Sequence, residues 1–181
     1  KKIFVNYLDW KENECAILPS TRFKEKKTNL VSNSIYLPIN FDSEKLIINF
    51  FNKLIRIKKD LSISNFKIKN HPACTKSKKH LRLIQKLNKI INKTKNFENI
   101  NNTEKKAIFI GSTSSILEAL KHNFEVIHIC ENLTLEIYHE RIWPSIKHNL
   151  IDENIIKYSL INPNSLEFDA NQNTFEKYLK T

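Results

Sequence analysis

Four hydroxyl residues follow the only glycine of this 181-residue chain, and together they form a pattern suited to bind an anion. The glycine is Gly111, and the hydroxyl residues are Ser112, Thr113, Ser114 and Ser115. An apolar run precedes them and a helical pattern follows. The first N–H groups of a helix have no intrahelical acceptor, and the helix dipole favours negative charge there. The segment therefore predicts a phosphate-binding turn between a strand and a helix.

A simpler interpretation covers part of this segment. Ser115 and Glu118 have the spacing of a capping box, in which the side chain of each residue accepts the backbone N–H of the other residue. One hydroxyl and one carboxylate are enough for capping, whereas four consecutive hydroxyls exceed that need. We therefore favour the anion site, although no Gly-Lys-Ser/Thr follows, as it would in a full P-loop.

A second candidate is the pair His71 and Pro72, which follows another strand-like segment. Proline biases the preceding residue towards an extended backbone, so that the His71 imidazole can point beyond the strand end. There it can donate a hydrogen bond to phosphate. The alternative is a histidine that only packs or caps at a strand end. The serine-rich turn in the same unit makes the phosphate role the better interpretation.

Strand-like and helical segments alternate along much of the chain, which predicts an α/β fold with a parallel sheet and helices on both faces. The predicted strands cover residues 35–39, 66–70, 107–110, 124–129 and 155–160. The predicted helices cover residues 43–59, 76–93 and 115–121, and a terminal helix is expected within residues 164–180. Ligands of such sheets bind beyond the carboxyl ends of the strands, where His71 and Gly111 both fall.

This alternation divides the chain into three parts. Residues 1–33 form an N-terminal segment of unclear structure with short strands expected at residues 3–5 and 16–18. Residues 34–130 form the core, and residues 131–181 form a C-terminal extension with one strand and the terminal helix. Within the core, residues 40–43 open a helix beside the predicted cleft and are a further candidate for ligand contact.

The net charge of +11 is spread along the chain. Lysine, asparagine and isoleucine are abundant throughout, as in proteins of AT-rich genomes. The densest basic stretch, residues 76–95, surrounds an apolar stripe, which favours a solvated helix face over nucleic-acid contact. No segment approaches the roughly 20 apolar residues of a transmembrane helix, so we expect a soluble intracellular domain.

The cysteines and histidines predict neither a disulfide framework nor a metal site. Three cysteines are an odd number, and their spacing is irregular, which fits a reducing compartment. His71, Cys74 and His80, or His128 with Cys130, do not have the spacing of zinc ligands. A Gly-x-Ser-x-Gly nucleophile elbow is also absent from the sequence.

The His-Pro pair and the later Ser-Ser turn resemble the C-terminal, nucleotide-binding half of GT-B glycosyltransferases. The similarity is to bacterial sialyltransferases and to capsule or other surface-polysaccharide transferases, and it spans residues 34–130. It implies a Rossmann-like domain that is one half of a GT-B fold. By this match, His71 with Pro72 and Ser114 with Ser115 hold the phosphate of a nucleotide sugar, expected to be a CMP-sugar.

The resemblance extends to the following helix and also shows where the chain departs from the family. Glu118 and Ala119 match a pair that often binds the donor ribose, whereas Asn123 replaces the glycine that usually precedes the next strand. An N-terminal acceptor domain, which holds the acidic general base in the sialyltransferases, has no counterpart. The sequence also contains no methionine. We therefore expect a donor-binding piece of a two-domain enzyme, inactive alone, whose catalytic residues are unknown.

The resemblance implies the partners of such a domain as well. Its substrate would be the nucleotide sugar, its acceptor a glycan bound through the missing domain, and it would need no metal and no cofactor. It would reside in the bacterial cytoplasm, with peripheral association at the inner membrane surface left open.

Two functions of other classes remain as alternatives. A non-catalytic interaction domain in carbohydrate assembly would use the serine-rich turn only as a helix cap and would bind no nucleotide. A basic nucleic-acid-binding module would use residues 76–95 and bind any polyanion with steep salt dependence. We rank the transferase domain first, the interaction domain second and the nucleic-acid module third. The sequence shows no exposed apolar stripe that would identify an interaction domain and no base-stacking aromatic motif that would identify a nucleic-acid module.

Overall fold

The computed structural model describes residues 9–11, 13, 29–59, 61–94, 105–111, 113–131, 138, 143–163 and 166. The chain divides into two compact units. The first comprises Lys1–Thr28 and Leu166–Thr181, and the second comprises Asn29–Ser165. The helices and strands given below all belong to the second unit. The strands expected at residues 3–5 and 16–18 lie outside the described residues, as does the terminal helix apart from Leu166.

The described residues form six strands and three α-helices in an alternating order. These are β1 (Ser34–Tyr36), α1 (Glu44–Ile57), β2 (Lys67–Lys69), α2 (Lys78–Lys93), β3 (Lys106–Ile110), α3 (Ser115–Lys121), β4 (Glu125–Ile129), β5 (Ile146–Asp152) and β6 (Ile155–Leu160). Short 3-10 turns at Ile63–Asn65 and Pro72–Cys74 lie on either side of β2. The predicted α/β class is confirmed, and β5 is the one described strand that the sequence did not predict.

The six strands form one mixed sheet in the order β2-β1-β3-β4-β6-β5. The first four strands of this order are parallel, but β6 runs antiparallel to β4, and β5 antiparallel to β6. The expected all-parallel sheet is therefore wrong at β6, which runs against the other five strands. The reason is local, since the short connection between β5 and β6 can join only antiparallel neighbours. Both strands fall in the predicted C-terminal extension, yet they continue the same sheet.

The helices cover both faces of the sheet. Ile35, Ile108 and Ile127 are register partners, and their side chains join one buried cluster with residues of α1 and α2. The helical members of this cluster are Ile47, Phe51, Leu54, Leu83, Leu87 and Ile91. Helix α3 packs against β4 and β6, and its buried residues lie outside that cluster. Side chains alternate between the two faces along a strand, so the second face carries residues such as His128.

Local sequence explains where the helices begin and end. The Ser43 hydroxyl accepts the Leu46 N–H at 3.3 Å and so caps α1. After α3, Asn123 adopts the left-handed backbone conformation with φ of 59°, and the Phe124 N–H returns to the Ala119 carbonyl at 3.0 Å. This is the position at which glycine is usual, and asparagine is the residue that tolerates it next best. Of the described helices, none combines the length and apolar character needed to cross a bilayer.

Candidate anion-binding site

The two predicted motifs lie at the same edge of the sheet. His71 and Pro72 follow β2, and residues 111–114, the β3–α3 loop, follow β3. Because β1 lies between β2 and β3 in the sheet, the two motifs are separated by two interstrand spacings, or about 10 Å. The chain passes from β1 to β2 on one side and returns to β3 on the other. The strand order therefore reverses between β1 and β3, where parallel α/β sheets open a ligand crevice.

The residues that follow β1, the β1–α1 loop (residues 37–43), connect the two motifs. On one side the Cys74 Sγ donates to the Ile39 carbonyl at 3.3 Å, which joins this loop to the 3-10 turn after His71. On the other side Pro38 packs against Gly111. The contacts of this loop thus link the carboxyl ends of β2, β1 and β3.

Gly111 is required by the backbone itself. Its φ is +69°, a conformation that residues with a Cβ rarely adopt, and a Cβ added there would lie 3.2 Å from Pro38 Cβ and Cγ. Its N–H donates to the Ile129 carbonyl at 2.9 Å, which continues the pairing of β3 with β4. The single glycine of the chain therefore allows β3 to turn sharply away from the sheet at the crevice.

Two buried side chains hold the β3–α3 loop from the second face of the sheet. The His128 Nε2 lies 2.8 Å from the Gly111 carbonyl, and the Tyr138 hydroxyl donates to the Thr113 carbonyl at 2.7 Å. Burial lowers the pKa of His128 to about 4, against the weaker opposing effect of its hydrogen bond to Gly111. The ring is therefore neutral at pH 7 with its proton on Nε2, and its Nδ1 accepts from Cys130 Sγ at 3.2 Å.

The contact with Tyr138 decides which way one peptide group of this loop faces. A trans peptide places its carbonyl and the following N–H on opposite sides. Because the Thr113 carbonyl accepts from Tyr138 and from the Ile116 N–H, the Ser114 N–H points away from α3 and from the core. The loop therefore presents a backbone donor at the edge of the sheet.

The hydroxyl residues of the loop do not form the capping box that the sequence offered as an alternative. Helix α3 begins at Ser115, so this residue lies inside the helix and is not its cap. Ser114 precedes the helix and makes no capping bond with its side chain, whereas Thr113 Oγ1 accepts the Ser115 N–H at 3.3 Å. Glu118 is half-buried in the first turn of α3. The predicted contact of Ser112 lies outside the described residues.

His71 has the extended backbone that its proline neighbour predicts, with φ of −64° and ψ of 136°. Its Nδ1 accepts the Ala73 N–H at 3.2 Å and thereby caps the short 3-10 turn. This local role matches the alternative considered for an isolated His-Pro pair, and it also selects the tautomer. A neutral ring that accepts at Nδ1 carries its proton on Nε2, which remains a donor for an anion. Pro72 is exposed at the start of the turn.

Glu131, directly after β4, is a residue of this edge that the sequence did not single out. Its carboxylate accepts the Asp42 N–H at 3.0 Å and the Ser43 N–H at 2.7 Å. The chain's own carboxylate therefore occupies the N-terminus of α1, where the helix dipole stabilises negative charge. This pairing uses the amide groups of residues 42 and 43, which the sequence had proposed for ligand contact. The only available signal was an acidic residue immediately after a predicted strand.

The first turn of α2 positions the β1–α1 loop. His80 is buried, with its Nε2 at 2.9 Å from the Pro38 carbonyl and its Nδ1 at 3.0 Å from the Ser77 hydroxyl. The Lys79 ammonium donates to the Phe41 carbonyl and lies 4.1 Å from the centre of the Phe41 ring. These contacts explain both basic side chains without a metal. Across the part of the chain that the structure describes, no three His, Cys, Asp or Glu side chains are grouped as metal ligands.

No family model, curated protein or solved structure matches this chain.

Proposed function

We propose that this chain contains the donor-binding domain of a bacterial surface-carbohydrate glycosyltransferase, a Rossmann-like half of a GT-B fold. Its ligand would be a nucleotide sugar, and the motif resemblance favours a CMP-sugar. One observation carries the proposal: the strand order reverses between β1 and β3, and the two motifs of the resemblance follow the strands on either side of β1. Open α/β sheets bind ligands at such a reversal.

The donors at this edge match the needs of a phosphate group. His71 offers the N–H of Nε2, because its Nδ1 is used by Ala73. The Ser114 N–H points outward, because its peptide carbonyl is held by Tyr138. The hydroxyls of Ser114 and Ser115 lie at the same end of α3. Donors whose positions are set before the ligand arrives need no reorganisation when negative charge develops on a leaving nucleotide.

The surrounding charge also supports an anionic ligand. The carboxylate of Glu131, which lies at this edge, is held by the N–H groups of Asp42 and Ser43. Its charge is therefore balanced by the protein. The chain as a whole carries a net charge of +11, which raises the local concentration of anions.

Calorimetric titration with CMP tests the proposal directly, and separate titrations with UMP and with a short RNA serve as controls. We expect saturable CMP binding that weakens at least about tenfold in the double variant His71→Ala, Ser115→Ala, because it loses hydrogen bonds to a charged group. The matched control is His122→Ala, Ser159→Ala. It also removes one histidine and one serine side chain, but from the end of α3 and from β6. This control should bind CMP as the parent chain does.

Each other outcome has a defined meaning. Absence of heat with either nucleotide, from a sample shown to be folded, contradicts the proposal and favours the interaction domain. Binding to RNA that is steeply salt-dependent and unaffected by the His71→Ala, Ser115→Ala variant contradicts it in favour of the nucleic-acid module. Equal affinity for CMP and UMP retains the donor site but refutes the preference for cytidine.

A further inference from the structure

A groove runs between α1 and α2, away from the candidate anion site. Its main cavity has a volume of about 610 Å³, and its floor is formed by Ile48 and Ile55 of α1 and Ile90 of α2. These isoleucines are partly buried against the core, so they keep apolar surface facing the groove. A second cavity of about 180 Å³ shares Ile55, Arg56 and Thr94 with the first and extends it past the end of α1. We call the two together the α1–α2 groove.

Basic residues line both sides of the α1–α2 groove. They are Arg56, Lys58, Lys59, Lys86, Lys89 and Lys93: those of α2 follow its length, and those on the α1 side lie at and beyond its C-terminal end. Among the described residues that line the two cavities, none is acidic. Lys86 forms an ion pair with Glu44 at one end of the groove. The remaining five cations lie on both sides of the groove, towards and beyond the C-terminal ends of the two helices.

Helix dipoles account for only part of this charge. Arg56 and Lys93 lie in the last turns of α1 and α2, where cations offset the negative end of the dipole. Lys89 lies one turn before Lys93 in α2, and Lys58 and Lys59 follow the end of α1. Lysines that only face solvent do not require the apolar surface of three isoleucines between them. The combination of apolar floor and cationic rim therefore calls for a ligand that is apolar on one side and acidic on its flanks.

We propose that the α1–α2 groove is a docking site for an acidic amphipathic helix of a partner protein. The lining residues of α1 span residues 48–56 and those of α2 span residues 86–94, which is about 12 Å along each axis at 1.5 Å per residue. A partner helix would cover this length with about two turns. Apolar residues at i, i+3 or i+4, and i+7 would lie on the isoleucines, and carboxylates beside them would meet the cations.

The shape and lining of the groove favour this occupant over other anions. Its cations lie on both sides of the groove and extend from Lys86 to Lys93 over about two turns of α2, a greater length than a single head group contacts. The groove is concave, whereas an anionic bilayer is flat. A phosphodiester backbone gains nothing from an isoleucine floor. Helix-in-groove recognition uses both features together.

The test is fluorescence anisotropy with the full chain and a labelled designed peptide of about four helical turns. Leucines occupy its i, i+3, i+4 and i+7 positions, and glutamates flank them. The control peptide has the same composition in an order without helical periodicity. The variant Lys89→Gln, Lys93→Gln removes two exposed rim charges, and the matched control Lys45→Gln, Lys78→Gln removes two exposed helical lysines outside the groove. A third arm measures sedimentation with phosphatidylglycerol vesicles.

We expect saturable binding of the periodic peptide only, weakened roughly two- to thirtyfold by Lys89→Gln, Lys93→Gln, the range for loss of two exposed ion pairs. The control variant should bind as the parent chain does. Equal binding of the two peptides, or equal weakening by the two variants, would overturn the proposal, because either result means general attraction to a basic protein. Vesicle binding that depends on Lys89 and Lys93, without peptide binding, would overturn it in favour of a lipid surface.

Discussion

Replacing His128 by glutamine should remove a specific part of the acid lability of this protein. The His128 ring is buried and donates from Nε2 to the Gly111 carbonyl at 2.8 Å. Glutamine presents an amide N–H from its own Nε2 atom and does not titrate, so His128→Gln can keep the hydrogen bond while it removes the proton-binding site. The variant thus separates the charge of His128 from its role in supporting the β3–α3 loop.

The expected size follows from the pKa of His128, which burial lowers from 6.5 to about 4. Because the folded pKa lies below the unfolded value, protonation favours the unfolded state. This group therefore leaves stability unchanged above about pH 6.5, and it removes stability progressively as the pH falls towards 4. At about pH 5 the loss is about 2 kcal/mol, and below pH 4 it saturates at about 3 kcal/mol.

Urea denaturation of both proteins at about pH 7.5 and about pH 5 measures this effect. The free energy of unfolding of the parent should fall by about 2 kcal/mol more than that of His128→Gln between the two pH values. Any constant cost of the substitution, such as altered packing against Tyr138 and Tyr158, cancels in this difference. All other ionisable groups are common to the two proteins, so their contributions cancel as well. An equal fall in the two proteins would refute the assignment of a buried, neutral His128.

Two further substitutions test the contacts at the carboxyl edge of the sheet. Gly111→Ala should lower the free energy of unfolding by about 1–3 kcal/mol, because φ is +69° and the new Cβ would lie 3.2 Å from Pro38. Thermal denaturation measures this loss, and an unchanged midpoint of the transition would exclude this backbone conformation at Gly111. Glu131→Ala should cost about 0.5–2 kcal/mol, because α1 loses the carboxylate at its N-terminus. Glu153→Ala, at an exposed turn, is its matched control and should be close to neutral.

The elements that the sequence predicted well are those with a local cause. Helix α1 follows from apolar residues at helical spacing together with the Ser43 cap, and both signals lie within a few residues of each other. Strand β3 follows from a short apolar run that ends just before Gly111. The strand is buried along its whole length. The resemblance marked Asn123 only as a departure from the usual glycine, and its φ of 59° shows that asparagine adopts the backbone conformation for which glycine is usual there.

Strand β5 was missed because its pattern carries little hydrophobic signal. It lies at the edge of the sheet, and the polar residues Lys147, His148 and Asn149 separate Ile146 from Leu150 and Ile151. An edge strand has a neighbour on one side only, and much of its surface faces solvent, so it does not need a continuous apolar run. The antiparallel end of the sheet could not be predicted without it.

The sequence by itself determined the α/β class, the main helices and strands, and the two motifs at strand ends. These depend on hydrogen bonds and side-chain periodicity within a few residues. Only the tertiary structure decided that Glu131 binds the start of α1 and that His128 supports the Gly111 carbonyl. Those contacts join residues far apart in the chain, and they exist because the strand order brings the ends of β1, β3 and β4 to one edge. The same is true of the α1–α2 groove, whose basic rim is a helix face in the sequence and a binding surface only once two helices lie side by side.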